Sequence, residues 1–385
     1  MELPGVSILV LNFNGREHLE RCFGSLEGLE YPADRLEVLF LDNASSDGSV
    51  EFVAERYPEV RIVRFERNLG FAAAMNAGVA EARHDVLVFL NNDTRVLPDS
   101  LRCLVRPIVE GRAGAAAAKI VSWDGSEVHF AGGGTNFHGI AFQIGMGEPD
   151  REEYRRESDT LFACGAAMAI RKRLFVEAGG FDEDFFAYYE DVDLGWRLWV
   201  LGERIRYVPD AVVHHHHSAT SLNVEIYKLR VLHLRNPLQM IMKNYEEEHL
   251  RRILPAALLL GARRTWYLSC VDSSAFRIGT RVGTGPGGWL RKRSRSRSEY
   301  EESMEVPKLT VSDLVALNDV VDKVPEIMRK RERIQGRRRR PDSEILPLFR
   351  DPFRCAEANP DYARLQDDVC RFLGIRELFE SGERE

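Results

Sequence analysis

The stretch Asp85–Val96, DVLVFLNNDTRV, decides how this chain is read. Val86, Leu87, Val88, Phe89 and Leu90 form a short apolar run rich in strand formers. The run stops abruptly at Asn91-Asn92-Asp93-Thr94. In open α/β sheets, ligands are held beyond the C-terminal ends of the strands. A hard divalent cation prefers oxygen ligands, often one or two carboxylates completed by phosphates. Asp93 is therefore a candidate metal ligand, with Asn92 beside it. Asn and Asp are also common turn formers. Taken alone, the stretch is more simply an ordinary strand-to-loop junction, and its neighbours must decide.

Upstream, Val6–Leu11 (VSILVL) is a near-continuous apolar strand of the kind found in sheets covered on both faces. It ends in Asn12-Phe13-Asn14-Gly15. Leu19, Cys22, Phe23 and Leu26 then recur at helical spacing. Leu36–Leu41 is a second strand, ending at Asp42-Asn43, with Ser46 or Asp47 a candidate N-cap for the next helix. Val60–Phe65 is a third, followed by Arg67-Asn68-Leu69-Gly70-Phe71 and an Ala-rich helix over Ala72–Ala82. This alternation predicts an α/β fold with a doubly wound, mostly parallel sheet. The first strand-to-helix turn has neither G-x-G-x-x-G nor a Walker lysine loop, which disfavours dinucleotide and P-loop folds. It offers Asn12, Asn14 and, one strand over, Asp42. Such side chains accept from a base N–H or a ribose hydroxyl, and they also serve as plain caps and turns.

Downstream, Leu101–Glu110 reads as a helix, and Ala115–Val121 and Cys164–Ile170 as strands. A second dense stretch covers Gly179–Arg197, GGFDEDFFAYYEDVDLGWR. Glu190, Asp191 and Asp193 set three carboxylates beside paired aromatics. An acidic first helical turn accounts for the charge, and the aromatic flank favours a substrate wall. A last strand, Arg204–Val213, runs into His214-His215-His216-His217. A neutral imidazole at a strand end can complete a metal site, although each of the four, taken singly, reads first as a solvated or structural histidine.

The 385 residues suffice for one large domain and a smaller one. A net charge of -7 argues against a global nucleic-acid binder. The basic cluster Arg291–Arg297 lies in LRKRSRSRS, without interleaved aromatics, and reads as a disordered linker, so no nucleic-acid partner is expected. A further basic run is Arg337–Arg340. Six scattered cysteines without paired spacing argue against a zinc site and for reduced thiols. The strand at Val6 leaves no visible signal peptide, and no apolar run reaches membrane-spanning length. Ile253–Leu260, with flanking arginines, reads either as a core helix or as a contact with an anionic membrane surface. Leu314, Leu317, Val320, Val321, Val324, Ile327 and Met328 follow a helical stripe, and Tyr362, Leu365, Val369 and Phe372 another.

Six segments, in order over residues 6 to 220, carry a family resemblance: VSILVLNFNG, LDNASSDGS, RNLGFAAAMNAG, FLNNDTRV, GAAMAIRKRLFVEAGGFDEDFFAYYEDVDLGWR and HHHHSAT. Together they resemble the inverting family 2 glycosyltransferases of the GT-A fold, and within them the rhamnosyltransferase-like members that extend bacterial surface polysaccharides. Leu234-Arg235-Asn236 and Lys243-Asn244 resemble a segment that follows the catalytic domain in many relatives. The resemblance implies a GT-A catalytic domain at 1–222. A helical extension at 223–268, a flexible basic linker at 269–305 and a helical tail at 306–385 are expected after it. With the predicted sheet complete by Val213, the catalytic domain is expected to fold without the residues after Val306.

By position, Asp42 matches the residue that reads the nucleotide base or ribose, and Asn12, Asn14, Asn68, Asn76 and Asn92 belong to the donor pocket. Asp93 takes the place of the last Asp in the family's metal-binding D-x-D. Its first position is Asn91 here, which leaves one fewer negative charge. Asp191 matches the catalytic base and Glu190 its acceptor-binding neighbour, with Tyr189 and Trp196 as candidate sugar-stacking residues. His215 matches the distal metal ligand, with His214 and His217 as alternatives. The implied reaction is inverting transfer of a sugar from a nucleotide-diphosphate donor (dTDP-rhamnose or a UDP-hexose) to a hydroxyl of a glycan or lipid-linked glycan. Mg2+ or Mn2+ would assist. The expected setting is cell-envelope polysaccharide biosynthesis in the cytoplasm, with peripheral contact at the inner face of the cell membrane as a further option. The competing reading is a noncatalytic sugar-nucleotide-binding module. Loss of the base or metal residues would mark it, and Asp191 and Asp93 are both present.

Overall fold

The computed structural model describes residues 3–216, 225–269 and 307–380. His217 and the basic cluster Arg291–Arg297 lie outside the described residues, as does the segment 270–306. The N-terminal half alternates as expected: β1 (Val6–Asn12), α1 (Arg16–Glu27), β2 (Leu36–Asp42), α2 (Ser49–Arg56), β3 (Arg61–Arg64), α3 (Gly70–Glu81) and β4 (Val86–Asn91). β1 lies between β2 and β4, parallel to both, and β3 extends the sheet beyond β2. Both faces of β1 and β4 are buried, which is why their sequences are apolar without alternation. α1 turns Leu19, Cys22, Phe23 and Leu26 onto this sheet.

The remaining strands are β5 (Thr94–Val96), β6 (Ala115–Ser122), β7 (Val128–Phe130), β8 (Gly133–Thr135), β9 (Ala141–Gln143), β10 (Ser158–Asp159), β11 (Ala167–Arg171) and β12 (Ile205–His215). Helices α4 (Ser100–Val109), α5 (Lys172–Glu177) and α6 (Glu190–Val200) are set among them. The sheet runs β10-β12-β6-β11-β4-β1-β2-β3. It is mixed, because β11 inserts antiparallel between β4 and β6. A short apolar run carries no sign of its direction, so the sequence could not reveal this reversal. The strand ends are in register: Asn12 sits opposite Asp42, and Leu11 opposite Asn91. At the other side of the sheet β5 pairs antiparallel with β12, which sets Thr94 opposite His215.

Beyond the sheet come α7 (Ile226–Asn244), α8 (Glu247–Ser269), α9 (Lys308–Gln335), α10 (Asp342–Ile345), α11 (Pro360–Phe372) and α12 (Ile375–Glu380). These helices do not stand apart. Val320, Ile327, Ile345, Phe349 and Tyr362 belong to the same apolar core as Leu9, Phe89 and Trp196. Phe349 meets Trp196 edge-on at 5.0 Å. The expectation that the catalytic domain folds without the residues after Val306 is set against a core that the two parts share. Of the anticipated stripe on α9, Val320 and Ile327 face inward, whereas Leu314, Val321 and Val324 are exposed. Among the described residues, no helix is long and apolar enough to cross a membrane.

Candidate functional site

The C-terminal ends of β1, β2 and β4 form one rim of polar side chains. Asp42 is 1 % exposed; its Oδ2 accepts from the Ser45 N–H at 3.2 Å, and its Oδ1 has no partner. An orphaned buried acceptor costs free energy unless a ligand supplies a donor. Asn12 bridges outward: its Oδ1 accepts from Asn92 Nδ2 at 2.6 Å, and its Nδ2 donates to Ser45 Oγ at 3.0 Å. Asn14, in the left-handed region at φ 51°, accepts from the Ser46 N–H at 2.8 Å. Asn68 Oδ1 accepts from Asn43 Nδ2 and from the Gly70 N–H, both at 2.9 Å. These residues brace the loops around Asp42. Asn76 lies elsewhere. Both ends of its amide are engaged by the loop before α6, through Phe181 and Glu183.

Asp93 follows β4 and is buried beside His215, with Oδ1 and Nε2 3.1 Å apart. Asn91 Nδ2 reaches the same imidazole nitrogen at 3.4 Å. Burial by itself would raise the Asp93 carboxyl. The His215 hydrogen bond and charge, with His18 behind them, outweigh it and hold the group below its ordinary value. The rings of the two neighbouring histidines rest on other groups. His214 Nδ1 lies 3.2 and 3.1 Å from the carbonyls of Ser122 and Trp123. His216 stacks on Trp123 with centroids 4.1 Å apart. Side chains alternate along an extended segment, so His215 alone of the three faces the carboxylate. The buried oxygen and nitrogen donors of Asp93 and His215 fit a divalent cation that takes its remaining ligands from phosphate. A further His-carboxylate group, Glu246, His249 and Asp342, is a clamp between α8 and α10. The Glu246 N–H donates to Asp342 Oδ2, the Asp342 N–H donates to Glu246 Oε2, and Arg338 occupies Asp342 Oδ1.

The second half of the site is the start of α6. Asp191 Oδ2 accepts from the Gly165 N–H at 2.9 Å and Oδ1 from the Val192 N–H at 2.8 Å. Burial raises its carboxyl, against those backbone donors. Glu190 is buried, and its Oε2 has no partner. Burial first, then the adjacent Asp191 charge, push Glu190 well above the ordinary carboxylate range. Of the two carboxyls Glu190 is raised further, while N–H groups and the helix N-terminus meet Asp191. The turn Cys164–Ala166 joins the two halves. Gly165 holds Asp191, and the carbonyl of Ala166 accepts from the Asn91 N–H at 3.1 Å. Burial raises the Cys164 thiol, and the nearby charges of Asp191, Glu190 and Asp93 add to it.

The approach to α6 is strained. Phe186, Tyr188 and Tyr189 all have φ between 62° and 71°, a conformation that bulky residues rarely adopt. Asn236 of α7 holds it, donating from Nδ2 to the carbonyls of Phe185, Ala187 and Tyr188. The Phe71 N–H donates to the Phe186 carbonyl at 2.7 Å. A Cβ at Gly70 would lie 2.6 Å from that oxygen, so glycine is needed there. Asp193 faces inward, bonded to Arg197 Nε at 2.8 Å and Lys243 Nζ at 3.0 Å. Trp196 departs from its expected role. It is fully buried against Tyr245 and Phe349, so it cannot stack on a sugar. Tyr189 is also nearly buried, with burial pushing its hydroxyl up to about 12. Sequence reasoning missed Gly165 and Trp123 and placed Asn236 only in a segment resembling relatives; the contacts of all three depend on tertiary neighbours distant in the chain.

The sequence profile described as Glycosyl transferase family 2 matches residues 7–179. The chain is 32 % identical over 236 residues to the N-acetylglucosaminyl-diphospho-decaprenol L-rhamnosyltransferase of Mycobacterium tuberculosis, covering 54 % of this chain and 75 % of that protein. It is 28 % identical to the probable glycosyltransferase YdaM of Bacillus subtilis, covering 55 % and 50 % of the two chains. The fold is similar to GalNAc-T7 solved with UDP, GalNAc and Mn2+, with a TM-score of 0.54 at 18 % identity over 71 % of this chain and 53 % of that one. It is also similar to S. aureus TarS 1–349 in complex with UDP-GlcNAc, with a TM-score of 0.51 at 16 % identity over 98 % and 92 %.

Proposed function

The chain belongs to glycosyl transferase family 2, and from that premise we propose an inverting glycosyltransferase that moves a sugar from a nucleotide-diphosphate donor to a hydroxyl of a glycan or lipid-linked glycan. dTDP-rhamnose is the first donor to test and UDP-hexoses the second. The observation that carries the reading is the Asp191 carboxylate, fixed by two backbone N–H groups across one turn from the Asn91–Asp93 strand end. The orphaned Oδ1 of Asp42 would accept from the base or ribose. Asp93 and His215 would hold Mg2+ or Mn2+, which supplies Lewis-acid stabilisation of the leaving diphosphate. Asp191 takes the proton of the attacking hydroxyl at one of its carboxylate oxygens, and Glu190, kept protonated, donates to a neighbouring acceptor oxygen. Alignment of both partners for backside attack supplies the remaining advantage. The cytoplasmic face of the cell envelope suits such an acceptor.

EDTA is expected to abolish transfer, with Mn2+ or Mg2+ restoring it. Full activity in a rigorously metal-free sample would remove the cation from this reading. Asp93→Ala should weaken binding of the nucleotide diphosphate far more than binding of the free nucleoside, as titration calorimetry can show. A thermal-shift screen of UDP-, dTDP- and GDP-sugars with Mn2+ identifies the donor, because a ligand of the folded state must raise its stability.

Among the histidines, His215→Ala should lose metal-dependent transfer. His214→Ala and His216→Ala should each keep most of it, since their rings rest on the Ser122–Trp123 segment. Equal loss at all three positions would assign the run a structural role.

A further inference from the structure

Helix α7 buries the polar side chains of Asn236, Lys243 and Asn244. A buried polar group is costly unless it is bonded, and these three bond to α6 and the loop that feeds it. Asn236 Nδ2 donates to the carbonyls of Phe185, Ala187 and Tyr188 at 3.2, 3.0 and 2.8 Å. Arg235 Nε donates to Asn236 Oδ1 at 3.1 Å. A guanidinium can only donate, so this bond fixes which end of the amide meets the carbonyls. Arg235 Nη2 also donates to the Asp184 carbonyl at 3.0 Å. About two turns further along α7, Lys243 Nζ and Asn244 Nδ2 each lie 3.0 Å from Asp193 Oδ1.

What α7 holds is a conformation that the loop would not keep alone. Phe186, Tyr188 and Tyr189 sit at φ 62°, 65° and 71°, a region that large L side chains disfavour. Burial does not account for it, because Phe186 stays 45 % exposed. Capping does not account for it either. A helix ordinarily starts from an extended Ser, Thr, Asp or Asn, whereas α6 starts from left-handed Tyr189 without a side-chain cap. Backbone held against its own preferences concentrates where geometry serves function. The next two residues are Glu190 and Asp191.

The grip is two-sided. On the α3 side, the Phe71 and Ala72 N–H groups donate to the Phe186 carbonyl at 2.7 and 3.3 Å. Asn43, which follows Asp42, accepts from the Leu69 N–H and donates to the Gly70 carbonyl. The loop is thus fastened to the donor rim on one side and to α7 on the other. Tyr189 sets the direction in which α6 starts, and Asp191 Oδ2 then meets the Gly165 N–H at 2.9 Å.

We propose that Asn236 is a positioning residue for the transfer reaction. By holding the Ala187 and Tyr188 carbonyls it keeps Tyr188 and Tyr189 left-handed, and so fixes where Asp191 stands against the acceptor hydroxyl. Asn236 acts through the loop and not on the substrate. The proposal rests on the reading of Asp191 as the base.

The test compares variants of the full chain. Asn236→Leu removes the donors and keeps a side chain of similar size. It should lower turnover by roughly tenfold or more at saturating donor and acceptor, the scale of a misplaced reacting group, while the donor-induced thermal shift persists. Hydrogen exchange should rise at the Gly165 amide, which Asp191 holds, and stay unchanged in β1. Adding Tyr188→Gly should recover part of the lost turnover, because glycine takes a positive φ without steric cost. A merely structural role predicts no such recovery. As a control, Leu104→Ala in α4, which packs on β6 and β12, should lower the melting temperature and leave turnover near normal. If Asn236→Leu does not fold, the same readings are taken on Asn236→Ser, which keeps one hydroxyl donor. Near-normal turnover of the folded Asn236 variant overturns the proposal. So does unchanged exchange at Gly165, a glycine double variant no more active than the single one, or an equal loss of turnover in Leu104→Ala. Asp191→Asn, run beside them, keeps the two readings apart. Near-normal turnover there removes the base, whereas near-normal turnover in the Asn236 variant removes only the positioning.

Discussion

Asp191→Asn will lower turnover by roughly 100-fold or more, the scale expected for loss of a general base, while fold and donor affinity persist. A sugar hydroxyl is a poor nucleophile, and a carboxylate becomes an effective base only as that hydroxyl acidifies in the transition state. Three carboxyls crowd the start of α6, and the structure separates them. Asp193 is consumed by Arg197 and Lys243 inside the fold. Glu190 is buried with an unpartnered oxygen and pushed well above its ordinary range, first by burial and then by Asp191. Asp191 alone is both braced by N–H groups and half-buried at the cleft. Because burial also raises Asp191, activity should fall on the acid side at a higher pH than an ordinary carboxylate would give. Asn is nearly isosteric and can keep one of the two backbone bonds, so a folded, donor-binding variant is expected. Glu190→Gln should instead impair acceptor use, seen as a raised acceptor KM. Near-normal turnover of Asp191→Asn at saturating donor and acceptor would remove Asp191 from the mechanism. A noncatalytic sugar-nucleotide-binding module would show the donor-induced thermal shift and no transfer in the unaltered chain.

Much of the fold was legible because it depends on local signals. The apolar runs that became β1, β2 and β4 each end in Asn or Asp, and the sheet brings those ends together. Asp93 and His215 could be paired by family position, and β5 explains the pairing physically, since its register with β12 sets them side by side. The failures have equally specific causes. Trp196 looked available because aromatic flanks do not reveal which side of α6 faces inward. Asn76, assigned by the resemblance to the donor pocket, bonds through its amide to a loop more than a hundred residues away, a contact that the sequence does not show. The stripe predicted on α9 was taken as one face, although the helix has apolar residues on two, and spacing alone did not show which of them the core would take. The antiparallel insertion of β11 and the strained approach to α6 arise from tertiary contacts that leave no periodic trace.

A chain ended after Val306 will fail to yield a soluble, donor-binding protein. α9 closes the C-terminal end of α7, whose last carbonyls have no partners within their own helix. Arg331 Nη1 donates to the carbonyls of Met242 and Tyr245, and Gln335 Nε2 to those of Lys243 and Asn244. The same helix neutralises the loop that feeds α6. Lys330 Nζ lies 2.6 Å from Asp182 Oδ1 and 2.5 Å from Asp184 Oδ2, and Lys323 Nζ lies 2.6 Å from Asp184 Oδ1. Burial opposes the charge on Asp182, and Lys243 with Lys330 overcomes it, so the carboxyl is held well below its ordinary value. Removing one partner from a fully buried pair costs about 3–5 kcal/mol; Lys330 is partly exposed and Lys243 stays on Asp182, so its loss costs less than that range. Loss of Phe349 from its contacts with Trp196 and Tyr245 adds a cavity penalty of about 3–5 kcal/mol, the range for a buried Phe reduced to Ala. Domain stability is only about 5–15 kcal/mol, so the two losses together take a large part of the margin. Two milder variants separate the contributions while staying folded enough to measure. Phe349→Ala should lower the melting temperature through packing, and Lys330→Met through charge. Lys330→Met should also reduce turnover, because Asp182 and Asp184 shape the loop that sets the Tyr189–Asp191 geometry. A truncated chain that stays monomeric and shows the full donor-induced thermal shift would establish that the catalytic core is complete without its helical tail.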